Sequence, residues 1–231
     1  PNYIVIMKFC LLDADYEVID GKPVIRLIGV DDKGNRTVVE DRNFLPYFYA
    51  TKAVKAPNIV KTEKSRMKLK GKEQNLVKIY VDLPQNVQKV RDLLKHSADC
   101  YEYSVNFCKR YLMDKKLYPL DFVDSKSMIK VPGRMPRLKV FALDIEVVDG
   151  IIIMISYASP DSKGVVTWKN CARALCVKDE KRMIEKFLSV LEEEKPHIVV
   201  TYNGDGYDFD VLRRRMEELK IKGPKITFEK H

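Results

Sequence analysis

Two stretches of sequence decide the fold of the second half of the chain: Phe141-Ala142-Leu143-Asp144-Ile145-Glu146 and Tyr202-Asn203-Gly204-Asp205-Gly206-Tyr207-Asp208-Phe209. The first reads as a buried strand that runs into acidic residues. Asp144 and Glu146 are two positions apart, and alternate residues of a strand point to the same face. Two carboxylates on one strand repel each other, and a divalent cation would relieve that repulsion. Their hard oxygen ligands favour Mg²⁺ or Mn²⁺.

The sequence around these stretches predicts an α/β arrangement for residues 138–231. Apolar and β-branched runs predict strands at 138–143, 151–157, 165–168 and 198–202. Apolar residues at helical spacing predict helices at 179–194 and 208–219. Asp208 would then begin a helix just after a strand, where it could join Asp144 and Glu146 in a carboxylate cluster. Taken singly, each acid is better explained by a solvated strand end or a helix cap.

Residues 1–137 predict an α+β domain with a mainly antiparallel sheet. The first two strands, 9–16 and 23–30, are separated by the turn signal Asp20-Gly21. Further strands are predicted at 37–39, 46–50, 77–81 and 100–107, and a helix between 84 and 96. Pro132-Gly133-Arg134-Met135-Pro136 is typical of a linker, so the domain boundary is placed between residues 137 and 138.

The net charge of the chain lies in this first domain. The 231 residues include 42 Lys+Arg and 33 Asp+Glu, a formal charge of +9, whereas residues 139–231 contain 16 of each kind. A basic half joined to a neutral half indicates that the first half meets a polyanion. Within residues 61–72, Arg66, Lys68, Lys70 and Lys72 alternate with uncharged residues and predict a strand with one cationic face. This face is either a solvated hairpin or a surface that follows DNA phosphates.

Several classes of protein are excluded by composition. No run approaches the roughly 18 apolar residues of a membrane span, and the first residues do not resemble a signal peptide. The cysteines are odd in number and form no C-x-x-C pair, which argues against a disulfide framework or a zinc knuckle. Free, mostly buried thiols in a reducing cytoplasm are therefore expected.

Together, the two acidic stretches resemble the first and second proofreading-exonuclease motifs of family B DNA polymerases, Asp-x-Glu and Asn-x-x-x-Phe/Tyr-Asp. Residues 153–158 and 167–170 are similar to the intervening strands of archaeal members, and residues 21–27 and 41–47 to the opening of those enzymes. The resemblance covers nearly the whole chain. It implies an amino-terminal domain followed by part of a ribonuclease-H-like exonuclease domain, which removes mispaired 3′ nucleotides by two-metal hydrolysis.

The resemblance implies roles for four residues of the second half. Asp144, Glu146 and Asp208 would bind the metal ions, and Asn203 would hold the substrate strand or support these ligands. The third motif of the family, Tyr-x-x-x-Asp, would lie beyond residue 231. The chain is therefore expected to be part of a longer or split DNA-directed DNA polymerase, with little or no exonuclease activity of its own. A free-standing metal-dependent 3′–5′ nuclease and a non-catalytic DNA-binding module remain as alternatives.

The resemblance also implies a pocket in the first domain that captures uracil in single-stranded template DNA. The matching positions are Tyr16, Pro46, Tyr47, Pro84, Val87, Arg91, Val105, Phe107 and Arg110. Gln88 and Asn106 stand where the family often has proline. A flipped base needs an apolar slot, groups that read its polar edge and arginines for the phosphates, and the methyl group of thymine would clash.

The implied partners are single-stranded template DNA, the primer 3′ end and the remainder of the polymerase, with a sliding clamp as a further candidate. No membrane partner is expected.

Overall fold

A computed structural model describes residues 7–52, 54–69, 71–204 and 206–223. The chain forms two compact units, Pro1–Pro136 and Arg137–His231. This division falls one residue before the predicted boundary, at the end of the Pro132–Pro136 linker. Two residues of the predicted motifs, Lys70 and Asp205, lie outside the described residues.

The first unit is α+β, as predicted, with antiparallel strands and two short helices. In chain order its elements are β1 (Lys8–Ile19), β2 (Lys22–Asp31), β3 (Arg36–Asp41), β4 (Tyr47–Ala50), β5 (Ile59–Leu69), β6 (Lys72–Val81), α1 (Asn86–Leu94), β7 (Cys100–Tyr101), α2 (Phe107–Lys115) and β8 (Phe122–Asp124).

One sheet of this unit has the order β3-β2-β1-β8. Strands β1 and β2 form a hairpin whose turn residues, Asp20 and Gly21, both have positive φ angles of 50° and 72°. Two such residues give the tight turn that matches the twist of a hairpin. Buried side chains of β1 and β2, among them Phe9 and Leu27, form a core with Phe107 and Tyr111 of α2. The packing brings the start of α2 close to Tyr16 of β1.

The other sheet of this unit has the order β5-β6-β4-β7. Its inner face contributes Phe48, Ile79 and Val81 to a core with Val87 and Val90 of α1. This explains the helical spacing of apolar residues between 84 and 96.

The long hairpin of β5 and β6 changes the interpretation of the basic stretch. Arg66 and Lys68 are exposed on one face of β5, as the alternation predicts. The chain then turns at Gly71, which has a φ of 80°, and Lys72 begins β6 opposite Leu69. Because directly opposed residues share a face, Lys72 lies on the other side of the hairpin from Arg66 and Lys68. The prediction of one continuous strand through Lys72 is therefore wrong.

The predicted strand at 100–107 is also wrong beyond Tyr101. Phe107 begins α2, because the side chain of Asn106 accepts hydrogen bonds from the backbone N–H groups of Cys108 and Lys109. Such an N-cap satisfies donors that a helix start leaves free. The short strand β8 was not predicted; it pairs with β1 through three residues.

The second unit contains one five-stranded sheet covered by two helices. Its elements are β9 (Val140–Val148), β10 (Ile151–Ala158), β11 (Lys163–Thr167), β12 (Leu175–Cys176), α3 (Glu180–Glu194), β13 (Ile198–Val200) and α4 (Asp208–Glu218). The sheet order is β12-β11-β10-β9-β13. Strand β9 pairs antiparallel with β10 and parallel with β13, so it lies inside the sheet.

Helices α3 and α4 share a core with the strands of this sheet. Phe187 of α3 and Leu212 of α4 belong to the same buried cluster as Phe141, Leu143 and Ile145 of β9. The two helices are also joined by an ion pair between buried Glu180 and Arg215, and Glu180 accepts a hydrogen bond from the backbone N–H of Ile152.

The described part of the chain has no helix that is both long and apolar enough to cross a bilayer. All five cysteines are free thiols, as expected. Only Cys10 and Cys108 are buried, however, and Cys176 is exposed, so the expectation of mostly buried thiols is wrong.

Candidate functional site

A cavity of about 430 Å³ opens in the first unit where four segments meet. These are β1, the entry to β4, the start of α1 and the chain from 103 into α2. The lining residues are Tyr16, Pro46, Tyr47, Pro84, Gln85, Val87, Gln88, Tyr103, Ser104, Val105, Asn106, Phe107 and Arg110. Eight of the nine residues assigned to the uracil pocket from the sequence are in this set.

Arg91 is the ninth, and it does not line the cavity. Its guanidinium lies over the ring of Tyr103, with Cζ 4.4 Å from the ring centroid, and Tyr103 lines the wall. Sequence reasoning missed Gln85, Tyr103 and Ser104. Each lies within two positions of a predicted lining residue, so the available signal was that two continuous segments, 84–88 and 103–107, both line the cavity.

Packed aromatic rings support the cavity. The ring of Phe107 meets that of Tyr16 edge-on at 5.3 Å between centroids. Phe44 lies behind Phe107 at 5.6 Å and meets Tyr111 at 5.0 Å. Aromatic pairs in these edge-to-face arrangements add about 0.5–1.5 kcal/mol beyond their area burial. The apolar side of the cavity therefore rests on a rigid part of the core.

Arg110 is the charged group of the cavity, and it is only 5% exposed. Its Nη1 lies 2.7 Å from a carboxylate oxygen of Glu102, and its Nη2 donates to the backbone carbonyl of Glu102 at 3.3 Å. Burial lowers the pKa of Arg110, but the hydrogen bond to Glu102, together with the electrostatic influence of Tyr47, Glu102 and Asp114, leaves that pKa raised. The Nε group of Arg110 is buried and has no hydrogen-bond partner among the described residues. A buried donor of this kind favours a ligand that carries an acceptor.

Tyr47 forms part of the cavity wall next to Arg110. Its hydroxyl donates to the carboxylate of Asp114, with oxygen–oxygen distances of 2.7 and 2.8 Å. The guanidinium carbon of Arg110 lies 4.8 Å from the centre of its ring. Burial and the hydrogen bond to Asp114 raise the pKa of Tyr47 above its ordinary value of 10. The hydroxyl of Tyr47 therefore keeps its proton at physiological pH, and this part of the cavity wall is uncharged.

Gln88 and Asn106 place side-chain amides in the cavity wall. The amide oxygen of Asn106 is engaged by the N–H groups of Cys108 and Lys109, at 2.9 and 3.1 Å. Asn106 thereby orients the first turn of α2, which carries Phe107 and Arg110. In this chain a capping side chain defines the wall at position 106, where the family often has proline.

In the second unit, the paired acids of the first motif lie on the open face of β9. Leu143 and Ile145 point into the core, and the alternate residues Asp144 and Glu146 are exposed. Neither carboxylate forms an ion pair with any described residue. Across the ladder they are opposite Ser156 and Met154 of β10. The prediction that both acids leave the same face of one strand is confirmed.

Asp208 begins α4 and is only 3% exposed. Residues three and four positions apart share a face of a helix, so Asp208 lies on the same side of α4 as Val211 and Leu212, which pack into the core. The positive end of the helix dipole favours a carboxylate at this position.

Asn203 lies in the turn between β13 and α4, exposed, with a φ of 61°. Asparagine tolerates this left-handed conformation better than most residues. It borders a shallow cavity of about 410 Å³, together with Thr201, Gly204 and Phe209. A Cβ atom on Gly204 would lie 2.1 Å from Cγ2 of Thr201, so only glycine fits this turn.

The donor atoms of these acids suit Mg²⁺ or Mn²⁺ in kind, but the set is incomplete. No group of three or more His, Cys, Asp or Glu side chains within the described ranges is arranged to hold a metal ion. Asp144 and Glu146 are exposed on β9, whereas Asp208 is buried at the start of α4. Their assignment as a joint metal site stays a prediction.

Comparison with known proteins identifies the family. A family model described as the exonuclease domain of DNA polymerase family B matches residues 98–229, which is more than half of the chain. The chain belongs to the family B DNA polymerases. The match begins inside the first unit and extends through both acidic motifs. The resemblance to this family, and the α/β exonuclease region with a partial ribonuclease-H-like fold, are thereby confirmed.

Individual family B relatives agree with this assignment. A DNA polymerase of Thermococcus gorgonarius is 37% identical over 92% of this chain, and one of Pyrococcus glycovorans is 37% identical over 93% of it. In both cases the chain spans 30% of the relative's length. The solved structure of the family B DNA polymerase from the hyperthermophilic archaeon Pyrobaculum calidifontis matches 93% of this chain and 33% of its own, with a TM-score of 0.76 and 27% identity.

Proposed function

We propose that this family B chain is the template-reading and proofreading region of a DNA-directed DNA polymerase. Its first unit would bind single-stranded template DNA and capture uracil in the cavity between α1 and α2. The observation that carries this proposal is the convergence of eight predicted residues on one cavity with an apolar wall and a buried arginine. Its volume of about 430 Å³ is within the roughly 300–1,000 Å³ range of small-ligand sites.

The chemistry of the cavity suits a flipped base. Val87 and Phe107 provide apolar surface for the ring, and the chain from 103 to 106 provides polar groups for its edge. The ion pair with Glu102 holds Arg110 in the cavity wall. The unpaired Nε–H group of Arg110 would donate a hydrogen bond to an acceptor atom of the bound nucleotide. Thymine differs from uracil by one methyl group, and a close-fitting wall rejects it by steric overlap.

Substitution of Val87 tests the uracil proposal. Val87 is 8% exposed and lines the cavity, so the longer polar side chain of Val87→Gln would fill the slot. Fluorescence anisotropy of an oligo(dT) carrying one deoxyuridine, compared with oligo(dT) alone, should show a preference for uracil in the wild type and none in V87Q.

Leu93→Gln is the matched control, because Leu93 lies on the same helix but is 62% exposed and outside the cavity. It should keep the preference. A wild-type chain that binds both oligonucleotides equally would overturn the assignment.

The second unit would contribute the first two motifs of a 3′–5′ exonuclease acting on the primer 3′ end. Divalent-metal dependence is a general property of this domain family, and Mg²⁺ or Mn²⁺ suits the carboxylates. Asp144 and Glu146 would supply two ligands, with Asp208 and Asn203 close to the primer end. Because the described residues offer no third acid on the open face of β9, the complete site would draw on the remainder of the polymerase, in the same or a separate chain.

Little or no exonuclease activity is therefore expected from the 231-residue chain. A 5′-labelled single strand incubated with Mg²⁺ or Mn²⁺ should keep its length on a denaturing gel. Metal-dependent shortening that disappears in Asp144→Ala would contradict this prediction and favour a free-standing nuclease. A reducing cytoplasm suits a DNA polymerase with five free thiols, and a sliding clamp remains a candidate partner.

A further inference from the structure

One face of the β5-β6-β4-β7 sheet carries a row of tyrosine and lysine side chains. Directly opposed residues of an antiparallel pair share a face. Tyr47 is opposite Tyr80, and Tyr49 is opposite both Lys78 and Tyr101. Lys61 extends the row on β5, opposite Tyr80. Glu63, opposite Lys78, is the acidic member of the same face. We call this set the tyrosine face: Tyr47, Tyr49, Lys61, Glu63, Lys78, Tyr80 and Tyr101.

The tyrosine face is not the core face of its sheet. The alternate residues, such as Phe48 and Ile79, form the core with α1 on the other side. Arg110 and Asp114 of α2 contact the tyrosine face at Tyr47. The side chains of Tyr49, Tyr80 and Tyr101 are half-buried. Rings at this exposure can accept a stacked partner.

The ammonium group of Lys78 lies over two of the tyrosine rings. Its ammonium nitrogen lies 3.6 Å from the ring centre of Tyr47 and 4.9 Å from that of Tyr80. Among the described residues no carboxylate forms an ion pair with Lys78. Glu63, directly opposite on β5, is paired with Lys61 at 2.7 Å and accepts the hydroxyl of Tyr80. The charges of Asp114 and Glu63 act on Lys78 from beyond ion-pair distance. Burial lowers the pKa of Lys78. A half-buried cation that lies over two rings and forms no direct ion pair is suited to an anionic ligand.

We propose that the tyrosine face binds single-stranded DNA, with bases stacked on Tyr49, Tyr80 and Tyr101 and a phosphate paired with Lys78. A second phosphate would pair with Lys61 by displacing Glu63. Aromatic platforms combined with basic side chains bind single strands in this way because every base has a π face. Tyr47 borders both this face and the cavity, so the same strand would reach the cavity from the sheet. The proposal deepens the template-binding role and rests on it.

The positive charge of the hairpin favours a nucleic acid as the occupant. Residues 59–81, which form this hairpin, contain seven Lys or Arg and two Glu. Lys64, Arg66 and Lys68 lie on the face of β5 opposite the tyrosine face, so Lys61 and Lys78 are the lysines next to its rings. A protein partner would need an acidic surface of matching shape, whereas a single strand supplies regularly spaced phosphates and flat bases together. Among nucleic acids, the template strand of a DNA polymerase is DNA.

The test uses the 231-residue chain and a labelled oligo(dA) of about 20 nucleotides, which contains neither uracil nor thymine. Tyr80→Leu and Tyr101→Leu should each weaken binding about tenfold in fluorescence anisotropy, because each removes one stacking ring. Tyr80→Phe and Tyr101→Phe should retain affinity. Lys78→Met should lower the slope of log affinity against log salt by about 0.7, the value for one phosphate contact on a single strand.

Tyr118→Leu is the matched control, since Tyr118 is 67% exposed in the loop after α2 and outside the tyrosine face. It should leave affinity unchanged. Circular dichroism checks folding, and if Tyr80→Leu unfolds, the comparison rests on Tyr101→Leu and Lys78→Met. Unchanged affinity in both of these variants would overturn the proposal. Tighter binding of oligo(rA) than oligo(dA) would assign the face to RNA and would equally overturn it.

The oligo(dA) experiment and the uracil experiment test the tyrosine face and the uracil pocket independently. If the tyrosine variants weaken oligo(dA) binding while the wild type shows no uracil preference, the pocket assignment fails and the tyrosine face stands. The reverse pattern, a uracil preference lost in Val87→Gln with no effect of the tyrosine variants, retains the pocket and rejects the face.

Discussion

At the residue scale, Tyr111 shows how burial couples a single side chain to pH. Tyr111 is fully buried, and its hydroxyl donates to the carboxylate of Asp41 at 3.0 Å. Burial, together with the adjacent negative charge of Asp41, raises the pKa of Tyr111 above its ordinary value of 10. The folded chain therefore retains this proton at pH values where the unfolded chain releases it.

We expect the free energy of unfolding to fall as pH rises above about 10, by up to about 1.4 kcal/mol per pH unit for such a group. Below pH 10 both states hold the proton, and the contribution is complete. Tyr111→Phe should remove its share of the alkaline slope in urea titrations between pH 8 and 11, leaving the shares of Tyr47, Tyr49 and Tyr80, whose pKa values are also raised. Tyr118→Phe, at an exposed position, should keep the full slope. Equal slopes for Tyr111→Phe and the wild type would contradict the prediction.

At the element scale, a single cap decides that α2 exists. Residues 100–107 have the composition of a strand, yet the strand ends at Tyr101, a turn follows, and the side chain of Asn106 starts the helix. The helix then carries Phe107 and Arg110 to the cavity. The cap thus links local backbone hydrogen bonding to the shape of the candidate site.

Asn106→Ala should destabilise the first unit by about 1 kcal/mol, because two backbone N–H groups lose their acceptor. It should also weaken any uracil preference, since the first turn of α2 forms part of the cavity wall. Asn106→Asp keeps an acceptor at the same place and should retain stability. Thermal unfolding followed by circular dichroism measures the first effect, and equal stability of Asn106→Ala and Asn106→Asp would show that the cap contributes nothing.

At the scale of the whole molecule, the charge is divided between the units. The net positive charge belongs to residues 1–138, and the exposed Lys64, Arg66 and Lys68 form a cationic row on one face of β5. Arg66 is paired with Glu73, whereas no ion pair is formed by Lys64 or Lys68 within the described ranges. The salt sensitivity of DNA binding should therefore come from the first unit.

This row lies on the face of β5 opposite the tyrosine face, so it would act on the strand through its electrostatic field rather than by direct phosphate contact. Reversal of these three charges, K64E/R66E/K68E, should weaken single-stranded DNA binding roughly tenfold and lower the salt slope. The matched control, K178E/K181E/K186E, changes the net charge of the chain equally through exposed lysines of the second unit. Anisotropy titrations at several salt concentrations distinguish the two. Equal losses in both triple variants would mean that total charge, rather than this surface, governs binding.

Much of the fold was predictable because its signals are local. The turn at Asp20-Gly21, the apolar spacing of α1 and α3, and the alternation that exposes Asp144 and Glu146 each depend on a few neighbouring residues. The predictions failed where a side chain competed with the periodic pattern, as at Asn106, or where a turn interrupted it, as at Gly71. The three residues of β8 are too few for periodicity to reveal, and their pairing with β1 is a long-range contact.

The sequence by itself determined the family B motifs, the basic first half and eight residues of the cavity wall, because residue type, order and spacing are local properties of the chain. Only the tertiary structure decided which of these residues meet. It brought segments 84–88 and 103–107 together around one cavity and turned Arg91 away onto Tyr103. It also put Asp208 on the core side of α4 and the two acids of β9 on the open face, since side-chain direction follows from how helices and sheet pack. The tyrosine face has the same origin, because register between strands distant in sequence sets its members on one surface.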